Sequence, residues 1–252
     1  MRTNWHKEDA QGDILSPEEL EVIARITEII EVHPGFAHPI WDWLASGDYS
    51  LDQLQTFAGN YYGHVEIFRK YLAAGVMLAS NEKLQEELSE ILAEEYGRRY
   101  DPEVGASSPS HPELYRRFMR SIDLDPSAWS ERGALASIVT YRDVHFKMVT
   151  EIREYALIGA IIFAMESATP YRHARVTQGL EKYATTNQVI IDDTFFSRHV
   201  EVDPRHGQSL IMPVRDWLAN EELVNEIIDG ASESLDARRA FLDDLLTHVT
   251  VN

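Results

Sequence analysis

Apolar residues recur at helical spacing along most of this chain, and no long segment alternates between apolar and polar residues. The pattern predicts an all-α protein. Capping residues indicate helix starts at Ser16 and Ser50, and the most apolar part of the chain predicts one continuous helix over about 133–167. Two or three acidic amphipathic helices are expected near the C-terminus. Because no repeat or long linker divides the chain, we expect a single domain over residues 1–252.

Charge and cysteine content exclude several classes of function. The formal net charge is −19, so we expect no binding to nucleic acid or to an anionic membrane surface. The chain has no cysteine, which excludes disulfides, thiolate nucleophiles and zinc or iron–sulfur sites built on cysteine sulfur. Any metal must therefore be held by nitrogen and oxygen. The longest apolar run, residues 156–165, is about half of what a bilayer span requires. We expect a cytoplasmic protein that acts on a small molecule.

Three possible metal ligands share one face of a predicted helix near the C-terminus. His199, Asp203 and His206 are separated by four and three residues, which places them in one row. A solvated polar helix would carry the same residue types, but three ligand types in register favour a metal site. Pro204 cannot donate a backbone hydrogen bond and disfavours helix at the residue before it. We therefore expect the helix to kink or unwind between the ligands.

Other candidate ligands lie in earlier helices. Glu166 follows the longest apolar run, where an unpaired carboxylate would cost several kcal/mol. A contact with solvent or a core ion pair would also explain it. Glu95 falls on the apolar face of its helix, whereas Glu94 is expected on the polar face. His111 opens the helix that follows the loop 98–110, where a histidine by itself is slightly more often a surface residue than a ligand.

Together these positions give three imidazoles and three carboxylates on four predicted helices: Glu95, His111, Glu166, His199, Asp203 and His206. Such ligands suit iron or manganese, and six of them suit two ions bridged by carboxylate better than one ion. A ferritin-like dinuclear site uses two Glu-x-x-His pairs on separate helices. The chain contains no Glu-x-x-His sequence, so a ferritin-like fold is disfavoured.

Four parts of the sequence resemble the haem-oxygenase-like diiron oxidases. They are residues 38–75, ILAEEYG together with SHPELYRRF, FAMESATPYRHARVTQGLEKY, and FFSRHVEVDPRHG. The last segment, with its His-x3-Asp-x2-His spacing, is the most specific. The resemblance implies a haem-oxygenase-like single-domain helical bundle, and it assigns the ligands of that family to the same six residues. It also implies two Fe(II) ions, dioxygen as a cosubstrate and a homodimer.

Ligand types and resemblance together predict a non-haem diiron oxidase in specialised metabolite biosynthesis. It would activate dioxygen to oxidise a small amino-acid-like substrate, by C–H abstraction, desaturation, or rearrangement or cleavage of C–C or C–N bonds. Manganese is the alternative metal, and an external reductant is a candidate partner. Two other functions stay open: a diiron fatty-acid oxidative decarboxylase, and a metal-free enzyme of the thiaminase-like or quinone-cofactor-forming type. The absence of cysteine disfavours a thiaminase-like enzyme.

Residues outside the ligand set carry weaker signals. No catalytic residue beyond the metal ligands is predicted. Candidate substrate-binding residues are Tyr62, His64, Glu66 and Arg172, although aromatic residues at helical spacing are more often part of a core. His145 and His173 are expected to be structural or exposed.

Overall fold

Helices make up nearly all of the regular structure in the computed structural model. It describes residues 14–98, 100–101, 106–127 and 134–251, and for 100–101, 106–107 and 201–205 it describes the backbone only. The α-helices are α1 (Pro17–Glu31), α2 (Ile40–Ser46), α3 (Leu51–Leu78), α4 (Glu82–Glu95), α5 (His111–Ser121), α6 (Ala136–Thr150), α7 (Glu154–Gly159), α8 (Thr169–Asn187), α9 (Thr194–Ile211) and α10 (Glu221–Val251).

Short elements of other types join the helices. A π-helical segment, Ala160–Met165, and a 3-10 turn, Glu166–Ala168, connect α7 to α8, and a 3-10 segment, Met212–Ala219, connects α9 to α10. Between α4 and α5, β1 (Tyr100–Asp101) pairs antiparallel with β2 (Ala106–Ser107). The all-α prediction is confirmed, with this two-residue ladder as an addition. The predicted single domain also includes residues 1–13, which lie outside the described residues.

Side-chain caps explain where the long helices begin. Ser16 accepts a hydrogen bond from the backbone N–H of Glu19, whose carboxylate accepts one from the N–H of Ser16. Ser50 and Gln53 form the same reciprocal pair at the start of α3. Such capping boxes satisfy backbone donors that have no partner within the first turn. Both predicted starts are confirmed, and the second one fixes the helix that forms one wall of the site described below.

The predicted continuous helix over 133–167 is wrong. Helix α6 ends at Thr150, and Ile152 then adopts a left-handed conformation with φ of 56°. The chain restarts as α7 and changes to π-helical geometry before the 3-10 turn. Residues with a positive φ are usually glycine or asparagine, and a β-branched residue rarely adopts it. Because the residue here is an isoleucine, the sequence carries no signal for this break. The interruption matters because it sets where Glu166 lies.

Helix α9 does not unwind at Pro204, contrary to the expectation from sequence, but continues from Thr194 to Ile211. An internal proline costs a helix about 3 kcal/mol. Buried residues at both ends of α9 offset this cost, including Phe196 on one side of the proline and Leu210 on the other. The C-terminal part also differs from the prediction, because a short 3-10 segment precedes one long helix, α10.

Helix α10 lies along α6, α7 and the π-helical segment, and the apolar core forms on both sides of this contact. One cluster of buried apolar residues joins α1, α7, the π-helical segment and α10. A second, richer in aromatic rings, joins α2, α3, α5, α8 and α9. Tyr61, Val65 and Phe195 of the second cluster line the polar site described below. In the part of the chain that the structure describes, no helix combines the length and apolarity needed to cross a bilayer.

Two glycines allow α7 and α10 to pack backbone against backbone. A Cβ atom on Gly230 would lie 2.1 Å from the carbonyl oxygen of Ala156, and one on Gly159 would lie 2.4 Å from that of Ile227. Both distances are far inside van der Waals contact, and the opposing atoms are backbone. A side chain at either position must push the helices apart.

Gly230→Ala is therefore expected to lower the free energy of unfolding by about 3 kcal/mol, because the helix pair must separate. Gly63→Ala is the matched control. Its Cβ would lie 3.0 Å from Cγ1 of Ile138, a side-chain atom that can move, and alanine is the better helix former. Chemical denaturation followed by circular dichroism measures both variants, and equal losses would contradict the backbone-contact explanation.

His145 is a structural residue of the core, as expected from the sequence. Its ring is fully buried, and Nδ1 lies 2.9 Å from the carbonyl oxygen of Tyr141, to which it donates. Its Nε2 therefore accepts from the hydroxyl of Ser234, also at 2.9 Å. Burial lowers the pKa of His145 to about 3, although the hydrogen bond to Tyr141 opposes the shift. The imidazole thus stays neutral in the folded protein.

An unfolded histidine titrates near pH 6.5, so in acid the unfolded state binds a proton that folded His145 does not. Its contribution to stability is complete above pH 6.5 and is lost as the pH falls toward 3. His145→Gln should reduce the pH dependence of the free energy of unfolding by about 1.4 kcal/mol per pH unit between pH 6 and 4. Denaturant titrations of both proteins measure this, and parallel profiles would rule it out.

Candidate metal centre

Five of the six predicted ligand side chains are described by the structure, and all five are buried where α4, α5, α9 and the 3-10 turn meet. Glu95 is the last residue of α4, and His111 is the first residue of α5. His199 and His206 lie two turns apart on α9. Glu166 opens the 3-10 turn. The chain thus brings together residues that are up to 111 positions apart in sequence (206 − 95 = 111).

Glu95, His111 and His199 form one compact group. One oxygen or nitrogen atom from each lies within 4.8 Å of the others. Nδ1 of His111 lies 2.6 Å from Oε1 of Glu95, and the rings of His111 and His199 have centroids 4.4 Å apart. A carboxylate and an imidazole in such contact can share either a proton or a metal cation. Two imidazoles and one carboxylate are also the donor set of many non-haem Fe(II) sites.

The protonation states of this group suit a cation. Burial raises the pKa of the Glu95 carboxyl, but the charge and hydrogen bond of His111 outweigh it, so the pKa lies below its usual value. Burial, and then the neighbouring His111, lower the pKa of His199 to about 3. Its Nδ1 lies 2.5 Å from the carbonyl oxygen of Phe195 and donates to it. The lone pair of neutral His199 is therefore on Nε2, where a metal can bind.

Glu166 and His206 form a second group. Nδ1 of His206 lies 3.5 Å from Oε2 of Glu166, and Nε2 lies 2.7 Å from Oε2 of Glu94. The Glu94 side chain is only 12% exposed, so its assignment to a polar outer face was wrong. Helix α9 covers this end of α4 and brings Glu94 into contact with His206. The predicted ligand Asp203 lies on α9 between the two histidines, but its side chain is outside the described residues.

The irregular segment before Glu166 is held by side chains that bind its carbonyl groups. Arg172 donates from Nη2 to the carbonyl of Met165 at 2.9 Å and from Nε to that of Ala168 at 3.0 Å. Arg238 donates to the carbonyl of Ala164. π-Helical and 3-10 geometry leave carbonyls without their usual helical partners. These arginines satisfy them, and Glu166 is fixed at the point where the helix changes form.

Glu95, Glu166 and His199 open into one cavity, so the two groups face a common space. Together with its opening to solvent, the cavity occupies about 440 Å³. The remaining walls are mostly apolar or aromatic, with two further histidines: Tyr61, His64, Val65, Phe68, Met165, Thr169, His173 and Phe195. The arrangement offers several buried ligand atoms beside a small cavity.

The four predicted substrate-binding residues separate into different places. His64 lines the cavity, with Tyr61, Val65 and Phe68 on the same face of α3. Tyr62 and Glu66 do not line it, because they lie on the outer side of this helix beside a separate surface cleft. The structure therefore places these two side chains outside the cavity beside the metal centre.

Arg172 also does not line the cavity, because its guanidinium is used to bind backbone carbonyls. Tyr62 instead accepts a hydrogen bond from Arg116 at 2.8 Å and stacks on Tyr115. Of the four candidates, the structure places only His64 at the cavity.

Sequence reasoning missed two residues of the site, Glu94 and His173. His173 is 3% exposed, and its ring centroid lies 5.0 Å from that of His199. Its position in register with Val176 and Leu180 on the buried face of α8 is a signal that could have found it. Burial, and then the nearby His199, keep the pKa of His173 well below its usual value. Glu94 lies at the edge of the apolar face of α4, where helical periodicity alone does not determine whether a side chain is buried or exposed.

Similar proteins agree with this description. A family model described as iron-containing redox enzyme matches residues 55–239, well over half of the chain. The 4-aminobenzoate synthase of Chlamydia trachomatis is 22% identical over 213 residues, which cover 83% of this chain and 85% of that protein. The 4-aminobenzoate synthase of Chlamydia muridarum is 22% identical over 236 residues, 92% of each chain.

Solved structures share the fold at low sequence identity. A CADD-like protein of unknown function from Nostoc punctiforme superposes with a TM-score of 0.72 at 15% identity, covering 93% of this chain and 96% of that one. A TenA homologue from Pseudomonas syringae gives 0.70 at 12% identity, covering 98% and 99%. A domain with a haem-oxygenase-like fold from Shewanella denitrificans gives 0.65 at 15% identity, covering 94% of each chain. The chain therefore belongs to the iron-containing redox enzyme family and has a haem-oxygenase-like fold.

Proposed function

We propose that this protein is a non-haem diiron oxidase that uses dioxygen to oxidise a small amino-acid-like substrate. Its ligands would be the six residues predicted from the sequence: Glu95, His111, Glu166, His199, Asp203 and His206. The observation that carries the proposal is the buried group of Glu95, His111 and His199, with ligand atoms within 4.8 Å, in a chain of the iron-containing redox enzyme family.

The residues present fit two iron ions. The first group supplies two imidazoles and one carboxylate, and the second supplies Glu166 and His206, with Asp203 on the same helix. Nitrogen and oxygen donors of this kind suit Fe(II), and Mn(II) is the alternative metal. Glu95 and Glu166 both face the cavity, where their carboxylates would help to hold the ions. Such a cation would also offset the cost of burying these carboxylates.

Each side chain contributes in a definite way. The hydrogen bond to Phe195 orients His199 so that Nε2 points away from its own helix backbone. Arg172 and Arg238 fix the segment that carries Glu166. Phe68, Met165 and Phe195 give the cavity apolar walls, which would limit the water beside bound metal. Bound ferrous ions would supply dioxygen activation and the oxidising power to remove hydrogen from a substrate.

The choice of substrate is supported by the relatives and by the cavity. The chlamydial relatives are named for forming 4-aminobenzoate, a small amine-bearing carboxylic acid. The cavity here contains two histidines that are not among the proposed ligands. A fatty-acid decarboxylase, the alternative, would need a long apolar channel for an alkyl chain. A small cavity whose walls include these two histidines favours the smaller and more polar substrate.

Metal binding is the first test. After anaerobic reconstitution and dialysis, the protein should hold about two irons per chain. His199→Gln and Glu166→Gln should each reduce this to about one, since each removes a ligand from a different group. Glu90→Gln, which changes an exposed residue of α4, is the matched control and should retain both. Full iron content in the His199→Gln and Glu166→Gln double variant would refute the proposed centre.

The reaction is tested on the same preparation. A dioxygen pulse is given to the ferrous protein with a panel of amino acids and fatty acids, and products, including 4-aminobenzoate, are followed by mass spectrometry. We expect a new product from an amino-acid-like compound that requires both iron and dioxygen and is absent with His199→Gln. A product formed only from fatty acids would support the alternative function. No dioxygen consumption with any compound would count against an oxidase.

Glu94 should strengthen iron binding by the second group, although it is not one of the six proposed ligands. Its contact with Nε2 of His206 fixes the ring so that Nδ1 faces Glu166. Glu94→Ala should weaken binding of the more loosely held iron at least about tenfold, as loss of such a partner commonly does. Glu94→Gln, which can still accept this hydrogen bond, should be close to the wild-type protein. Competition with a coloured chelator measures the affinity, and equal behaviour of the two variants would rule out the positioning role.

A further inference from the structure

Two histidines line the cavity without a hydrogen-bond partner for Nδ1 among the described residues. His64 reaches it from α3 and His173 from α8. In both rings the Nδ1 atom is buried and makes no hydrogen bond within the described chain. A buried polar atom left in this state costs about 1–3 kcal/mol. Two such atoms beside one cavity therefore call for a polar ligand or water.

Aromatic neighbours hold both imidazoles in place. The ring centroid of His64 lies 5.4 Å from that of Tyr61 and 5.5 Å from that of Tyr141, both edge to face. His173 packs at 5.4 Å from Phe195 and 5.3 Å from Phe196. These contacts fix the planes of the rings but do not satisfy Nδ1. The hydrogen-bonding directions of the two imidazoles are thus preset before any ligand arrives.

His145 shows how the same core treats a histidine that is only structural. Both of its ring nitrogens have hydrogen-bond partners, the carbonyl of Tyr141 and the hydroxyl of Ser234. It also does not line the cavity. His64 and His173 differ from it on both counts. An apolar side chain would fill the same space at these two positions without leaving a nitrogen unpaired. Packing alone therefore does not explain why both residues are histidine.

We propose that His64 and His173 form a substrate subsite that hydrogen-bonds a hydroxyl or amino group close to the bond that is oxidised. The inference rests on the proposed function, because it places this group next to Glu95, Glu166 and His199 in the same cavity. A neutral imidazole has one N–H donor and one acceptor nitrogen. A hydroxyl or amino group can match either, whereas a methylene group matches neither and leaves the nitrogen unsatisfied. The substrate class is a small alcohol or amine rather than an unsubstituted alkyl chain.

Aniline and toluene are a suitable probe pair, because they have nearly the same shape and differ by an amino group against a methyl group. Both are titrated by equilibrium dialysis without dioxygen, so that no turnover occurs. The measured quantity is the ratio of the two affinities. His64→Leu and His173→Leu should each shift this ratio about tenfold toward toluene, equivalent to about 1.4 kcal/mol, because leucine cannot pair with the amino group.

Controls separate the subsite from general damage. His145→Gln alters a buried histidine outside the cavity and should leave the ratio unchanged. His173→Asn keeps a donor and an acceptor and should recover part of the preference for aniline. An unchanged ratio in both leucine variants would overturn the proposal. So would a wild-type protein that fails to bind aniline at millimolar concentration.

The titration is run on iron-loaded and on metal-free protein, which distinguishes the two proposals. If the histidine-dependent ratio is found but iron does not bind, the subsite stands and the diiron assignment fails. If iron binds to wild-type and His64→Leu protein alike but the ratio does not move, the diiron assignment stands and the subsite fails. The ring contacts of His64 do not include the proposed ligand His199, whereas those of His173 do. His64→Leu therefore tests the subsite with less disturbance of the proposed metal ligands.

Discussion

The burial of ionisable groups in an apolar core is the constraint on which the rest of this structure depends. Glu95 and Glu166 are 4% and 3% exposed, and neither has a lysine or arginine partner among the described ion pairs. Their contacts are with imidazoles instead. A buried carboxylate without compensation is strongly unfavourable. The fold therefore depends on the imidazoles that compensate these two carboxylates, and the proposed cation would compensate them further.

Maintaining that arrangement requires irregular backbone. A regular helix through residues 160–168 would place Glu166 on a different face, since each residue turns an α-helix by about 100°. The π-helical and 3-10 geometry redirects it, and the freed carbonyls are bound by Arg172 and Arg238. The close contact of α7 with α10 at Gly159 and Gly230 holds the preceding turn. Stability in this region thus contributes directly to the geometry of the site.

Features that depend on local sequence could be predicted, whereas features that depend on long-range packing could not. Helical spacing and caps gave the fold class and the start of α3, and the apolar face of α4 identified Glu95 as inward. The helix break at Ile152 could not be predicted, because its left-handed conformation is set by tertiary packing and not by residue type. The position of Glu94 depends on α9 crossing the end of α4, which is a long-range contact. His173 was discounted because a lone histidine on a helix is rarely informative, although its register with buried residues identifies it.

Glu94 and Glu95 are adjacent in sequence, yet one contacts His206 and the other contacts His111. A single helix end therefore belongs to both halves of the site. Any rotation of the last turn of α4 must shift both contacts in a correlated way. A displacement at either contact is thus transmitted to the other through two adjacent residues of one helical turn.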